Sequence, residues 1–192
     1  MKIGIFGGSF DPIHLGHLAL AENARLLAKL DKIIFVPAGR PPHKARCHAS
    51  GKDRLRMVRI ATSRNPNLLV DNFEISKPNR ASYTYVTIRH FRKKYPKDKL
   101  YFLIGSDSLA EIPSWKKGWA MARLCSFLVG RRTTEKKPRI PEKTKNRIEF
   151  MSTPLIDISS TEIRGKIKNK KSMKNLVPDA VSKYIKKRRL YT

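Results

Sequence analysis

The residues with the most evident chemical capacity lie in one unbroken stretch, Gly7-Gly8-Ser9-Phe10-Asp11-Pro12-Ile13-His14-Leu15-Gly16-His17. Two adjacent glycines let a chain turn tightly and present its amides with no Cβ in the way, so phosphate oxygens can come close to the backbone. His14 and His17 are three apart, and at the start of a helix they project from one side, beside the positive end of the helix dipole. That spacing predicts an anion site of imidazoles and amides, with Gly16 leaving room for a ligand against the helix. Zinc ligation is the competing chemistry for such a pair. It would need further ligands from His43, Cys47 or His48 in a polar loop, so no protein-held metal is expected.

A second candidate lies near the other end, Ile158-Ser159-Ser160-Thr161-Glu162-Ile163-Arg164. Ser159 is spaced to cap a helix whose third residue, Glu162, closes a capping box, which leaves the Ser160 and Thr161 amides at the positive terminus and Arg164 one turn in. Alone, this is an ordinary helix start with a surface arginine. Between the two ends stand Pro41-Pro42-His43-Lys44, Ser82-Tyr83-Thr84-Tyr85, Gly105-Ser106-Asp107 and Pro113-Ser114-Trp115-Lys116. Trp115 can stack on an aromatic ligand, and a cationic ring would gain about 1 kcal/mol from it. Trp115 and Trp119, four apart, also fit the core stripe of one helix. Tyr83 and Tyr85 fit sheet-edge packing equally well. Asp107 is placed either to cap a helix or to bind ribose hydroxyls.

The elements that must position these residues follow from the apolar pattern. Short β-branched runs predict strands at Lys2–Gly7, Lys32–Pro37, Leu68–Phe73, Lys99–Ile104 and Ser126–Val129, with a sixth near Ile148–Met151. Helical patterns fill the gaps at Leu15–Lys29, Gly51–Ser63, Tyr83–Tyr95, Trp115–Ala122, Ser160–Asn169 and Pro178–Arg189. Alternation of this kind predicts an α/β chain, a single-domain Rossmann-like doubly wound fold with a mainly parallel sheet of five to six strands. Its ligand crevice belongs at the carboxyl ends of the strands, where both glycine segments sit. Residues 1–192 read as one domain, helical from about residue 155. The stretches Gly39–Ser50 and Arg131–Asn146 read as polar surface loops.

Composition sets outer bounds. The 192 residues are 40% hydrophobic, enough for one core, and carry no apolar run long enough to cross a bilayer. No basic leader precedes Ile3, so a cytoplasmic, unexported protein without membrane contact is expected. Cys47 and Cys125 are far apart and indicate neither a disulfide framework nor a metal site. With 42 Lys and Arg against 15 Asp and Glu, the formal charge is +27, which favours anionic partners. From Lys166 to Arg189 ten cations face one acid, Asp179. No RNA- or DNA-binding signature accompanies them, so a solvated basic face is expected rather than a nucleic-acid site.

The amino-terminal string resembles the phosphate signature of the nucleotidyltransferase superfamily, Gly-Gly-Ser/Thr-Phe-Asp-Pro followed by His-x-Gly-His. Ile158–Arg164 is similar to the same superfamily's ATP-phosphate loop. The four middle segments resemble those of bacterial nicotinate-mononucleotide adenylyltransferases, and together the matches span the chain. The resemblance implies transfer of AMP from ATP to nicotinate mononucleotide, giving nicotinate adenine dinucleotide and pyrophosphate in NAD biosynthesis. It implies that His14 and His17 act at the transferring phosphate with Ser9, in an ATP site that also takes in Gly7, Gly8, Phe10 and Gly16. Ile158, Ser159, Ser160, Thr161 and Arg164 would hold the outer phosphates, with Mg²⁺ bridging ATP oxygens. For the acceptor it implies His43 and Lys44 at the phosphate, Gly105 and Asp107 nearby, and Tyr83, Thr84, Trp115 and Lys116 around the pyridine ring. Lys116 departs from the aromatic or histidine often found there, and Lys117-Gly118-Trp119 has no counterpart. An amide-specific nicotinamide-mononucleotide enzyme is the alternative within the superfamily, and Pro-Pro-His-Lys with Pro-Ser-Trp argue against phosphopantetheine adenylyltransferases and cytidylyltransferases. A non-catalytic basic nucleic-acid-binding module is the alternative from another class, marked by salt-sensitive binding without turnover. A homo-oligomer is left open.

Overall fold

Apolar residues on both faces of a strand require a layer of helices on each side, and the computed structural model has that layout. It describes residues 1–41, 47–77, 81–130, 140–152 and 158–192. Strands β1 (Lys2–Gly8), β2 (Lys32–Pro37), β3 (Leu68–Val70), β4 (Lys99–Gly105), β5 (Ser126–Gly130) and β6 (Ile148–Met151) form one sheet in the order β3-β2-β1-β4-β5-β6. Every neighbouring pair is parallel. The order reverses between β1 and β4, so a crevice opens at their carboxyl ends, after Gly8 and Gly105.

The period-two pattern divides each strand between two cores. Phe6, Ile33, Phe35, Leu103 and Leu128 face helices α1 (Leu15–Leu27), α2 (Gly51–Thr62), α5 (Ser160–Lys168) and α6 (Asp179–Lys187). Ile3, Ile5, Ile34, Phe102 and Phe127 face α3 (Thr84–Lys94), with Ile88 and Phe91, and the short α4 (Ser106–Glu111), with Leu109. Ile88 and Phe91 are wholly buried, which contributes about 1.5–3 kcal/mol each. Cys125 lies in this second core, where burial pushes its thiol up to about 12 and keeps it an inert hydrophobe. No described helix is long and apolar enough to cross a membrane.

Two expected elements differ from the sequence reading, and two appear that it did not place, the short α4 and a 3₁₀ turn at Glu142–Arg147. The third strand ends at Val70 rather than Phe73, because the Asp71 carboxylate accepts the Phe73 amide at 2.8 Å and turns the chain out of the sheet. The expected helix Trp115–Ala122 is two 3₁₀ turns, Ile112–Ser114 and Trp119–Arg123. Between them Trp115 is extended at ψ 144°, and Lys117 lies in the left-handed region at φ 55°. The Gly118 amide closes back on the Trp115 carbonyl at 2.9 Å, and a Cβ on Gly118 would meet the Ile112 carbonyl oxygen at 1.9 Å. Backbone crowding at a glycine therefore overrides the apparent helical spacing of the two tryptophans.

Candidate active site

Strand β1 delivers Gly7 and Gly8 to the crevice as its last two residues, still in the sheet, with Gly8 paired to Pro37. The turn is made two residues after the glycines, by Phe10 at φ 48°. A left-handed phenylalanine costs roughly 1–2 kcal/mol and persists because its ring is 1% exposed. Gly8 earns its place by absence of bulk, since a Cβ there would press on the Phe10 ring at 3.0 Å.

His14 is the N-cap of α1, and its arrangement with His17 is a capping box made of imidazoles. The His14 Nδ1 accepts the His17 amide and the His17 Nδ1 accepts the His14 amide, both at 3.3 Å. A ring nitrogen that accepts cannot carry the proton, so these bonds assign the neutral Nε2–H tautomer to both rings. The rings stack with centroids 3.6 Å apart, and the edges of Phe10 and Phe6 pack on His17 at 5.0 and 5.9 Å. The stack and the two reciprocal amide bonds hold the rings together as a pair. Phe10 therefore supports His17 from the core.

The distant carboxyl-terminal motif meets this loop. Ser159 caps α5 through the Glu162 amide at 3.1 Å, while the Glu162 carboxylate faces Lys166 at 3.6 Å, so the cap is the one-sided serine bond rather than the expected box. The Ser160 hydroxyl donates to the Pro12 carbonyl at 2.9 Å. Arg164 donates to the Asp11 carbonyl at 2.9 Å and to the Thr161 hydroxyl at 3.1 Å. The positive end of α5 is thereby tied to the loop that leads into α1. Ile158, 9% exposed, belongs to the core beneath them. Gly16 is the second residue of α1.

Of the remaining predicted residues, those that are described lie on the other core's side of the sheet. Gly105 ends β4 and caps α4, with Asp107 exposed in the first turn of that helix. Tyr83 is the N-cap of α3 and makes no side-chain capping bond, so Thr84 opens a helix whose positive end is uncapped by a side chain. The Lys116 ammonium sits 4.4 Å from the Tyr83 ring centroid, joining the Trp115 segment to the α3 start. Trp115 is partly buried against the second core, and Trp119 packs edge-on to Phe127 at 6.2 Å. Ser82 anchors the exit of β2, its hydroxyl accepting the Gly39 and Arg40 amides at 2.9 and 3.0 Å. His43 and Lys44 lie outside the described residues.

The sequence reading missed the supports. Arg54, 1% exposed, donates to the carbonyls of Ser9 at 2.7 Å, Gly39 at 3.3 Å and Ala49 at 3.3 Å, joining three segments behind the crevice. The signal was present, because helical period places Arg54 on the stripe of Val58 and Thr62, both buried. Glu74 lies near it. Burial raises the Glu74 carboxyl above its ordinary range, against the bonds from Thr87, Ser82 and the Gly39 amide and the attraction of Arg54. Asp11, 5% exposed, accepts the His48 amide at 2.7 Å, the Ala49 amide at 3.0 Å and the Tyr191 hydroxyl at 2.8 Å.

Strand order and paired helix termini define a nucleotide-binding, doubly wound α/β protein. A cytidylyltransferase-like family model matches residues 5–166. A probable nicotinate-nucleotide adenylyltransferase of Moorella thermoacetica is 42% identical, over 99% of this chain and 91% of that protein. One of Thermus thermophilus is 38% identical over the full length of both. In fold, the chain is similar to Plasmodium falciparum nicotinic acid mononucleotide adenylyltransferase complexed with NaAD, with a TM-score of 0.81 and 22% identity, over 99% of this chain and 97% of that one. The chain belongs to the cytidylyltransferase-like family, among its nicotinate-nucleotide adenylyltransferases.

Proposed function

We propose that the chain is an enzyme that transfers the adenylyl group of ATP to nicotinate mononucleotide, forming nicotinate adenine dinucleotide and releasing pyrophosphate, a step of NAD biosynthesis. The observation that carries the mechanism is the convergence of the two loops, with Ser160 on Pro12 and Arg164 on Asp11, each at 2.9 Å. One triphosphate can span both helix ends. The 5′-phosphate oxygen of the acceptor attacks the α-phosphorus in line, a new P–O bond forms, and the bond from the α-phosphorus to the bridging oxygen breaks, leaving pyrophosphate. The attacking oxygen is already ionised near neutral pH, so alignment and charge stabilisation carry the catalysis without a general base.

In this reading the Nε2–H groups of His14 and His17 donate to the transferring phosphate, with the Ser9 loop beside them. Ser160, Thr161 and the remaining guanidinium donors of Arg164 take the outer phosphates. Among the described residues no three His, Cys, Asp or Glu side chains gather as a metal cage. Mg²⁺ enters the proposal as an ion that ATP would bring with it, supplying charge neutralisation at the phosphates, and no step is assigned to it. The uncapped start of α3, the nearby Lys116 ammonium and Trp115 favour a pyridine ring bearing a carboxylate. His43 and Lys44 are assigned to the acceptor phosphate, Gly105 and Asp107 to its ribose. Residues 1–192 work as one nucleotidyltransferase domain.

Pyrophosphate release is the direct test, measured with ATP, Mg²⁺ and either nicotinate or nicotinamide mononucleotide. A higher kcat/KM for the acid is expected. Turnover with neither acceptor would overturn the reaction, and a preference for the amide would overturn the acceptor assignment alone.

A further inference from the structure

The segment after α6 reaches back to the phosphate loop. Tyr191 donates its hydroxyl to Asp11 Oδ1 at 2.8 Å, on the same carboxylate that accepts the His48 and Ala49 amides. Asp11 stands between Phe10, whose ring packs on His17, and Pro12, whose carbonyl holds Ser160. Its own carbonyl holds Arg164. One carboxylate thus joins the amino-terminal loop, the entry to α2 and the end of the chain's last helical unit. The backbone at Tyr191 is left-handed, φ 68°, a conformation that a bulky residue keeps only when tertiary contacts impose it. Burial, then the Asp11 charge, push the Tyr191 hydroxyl well above the usual tyrosine range, so it stays a donor.

A nearby bond supplies the contrast. Tyr184, in α6, donates to Asp53 Oδ1 at the same 2.8 Å, but Asp53 belongs to the first turn of α2, where Ser50 caps the helix. The two tyrosine–carboxylate bonds are chemically alike and differ in what the carboxylate holds.

We propose that Tyr191 is a positioning residue for adenylyl transfer, acting through Asp11 to hold the His14–His17 pair in register with Ser160 and Arg164. The inference rests on the adenylyl-transfer reading above. Removing the hydroxyl lets the loop shift relative to α5, which harms alignment in the transition state more than binding of the triphosphate, where many contacts share the load.

The experiment compares Tyr191→Phe with Tyr184→Phe in the full chain. Sites are counted by calorimetric titration with a non-hydrolysable ATP analogue, and kcat is expressed per site. Tyr191→Phe should lower kcat on the order of tenfold with analogue affinity changed less than about threefold. Tyr184→Phe should keep kcat while lowering the melting temperature by a few degrees. Equal kcat in Tyr191→Phe and the unaltered chain, or the same fall in both variants, would overturn the proposal. Hydrogen exchange of the Gly7–His14 amides with the analogue bound separates this outcome from failure of the reaction reading. Exchange should quicken in Tyr191→Phe only, and identical rates in all three proteins would overturn the inference even if no acceptor turned over.

Discussion

The loop from Gly8 to Leu15 is held from outside itself, whereas the segment from Pro113 to Gly118 is closed mainly on itself. Ala38 donates to the Gly8 carbonyl, Arg54 to that of Ser9, Arg164 and Ser160 to those of Asp11 and Pro12, and the Leu15 amide donates to the Leu176 carbonyl. Among the described residues around Trp115, by contrast, the backbone bonds are short turns, Trp115 to Ile112 and Gly118 to Trp115, with lysines 116 and 117 over tyrosines 83 and 85. A group that must meet a transition state within a fraction of an ångström is fixed by many partners. A wall that only stacks and attracts tolerates a local scaffold.

The largest test of that difference is Arg54→Met, which strips three carbonyls of their donor and leaves Glu74 without its neighbouring cation. It should cost on the order of 3 kcal/mol or more in urea unfolding, and an unchanged midpoint would mean that the loop holds itself. Next is His17→Ala, which removes the donor proposed for the transferring phosphate and half of the imidazole cap. A fall in kcat of about 100-fold is expected, about 2.7 kcal/mol, with a much smaller change in acceptor KM. Unchanged kcat would remove His17 from the chemistry.

On the other wall the effects should be smaller and of another kind. Trp115→Ala should raise KM for the acceptor roughly five- to tenfold, about 1–1.4 kcal/mol, and leave kcat within about twofold. No change in KM would return Trp115 to a packing role. Smallest is Glu74→Gln. Because the folded state holds the Glu74 carboxyl above its ordinary range, the native protein binds more protons there than the unfolded chain between the ordinary and the raised value, so stability falls as pH rises through that window. The variant should therefore melt higher than the unaltered protein at pH 8, with the gap closing towards pH 4. A variant that melts lower at pH 8 would show that the charge of Glu74 supports Arg54 more than its burial costs.

What could be read in the residues differs between these walls in the same way. The glycines, the histidine spacing and the serine cap are local patterns, and each indicates its element and terminus without knowledge of the rest. Arg54, Asp11 and Tyr191 act over 45, 38 and 180 residues of separation, and nothing local in Tyr191 marks it as a partner of Asp11. At the Trp115 segment the difference is of the opposite sort. Trp115 and Trp119 carry a helical period, but Gly118 and the left-handed Lys117 allow a tighter path that the pattern alone could not reveal.

The sequence by itself determined the alternation of strands and helices, the parallel sheet, the crevice at the strand ends and the two helix starts, because side-chain periodicity and capping act over a few residues. Tertiary structure alone decided that two motifs 148 residues apart share carbonyls, that the histidines stack and cap one another, and which buried groups hold them. Those outcomes depend on which surfaces meet when the sheet closes, and hydrogen bonds from side chains to distant carbonyls and carboxylates leave no spacing in the chain to read.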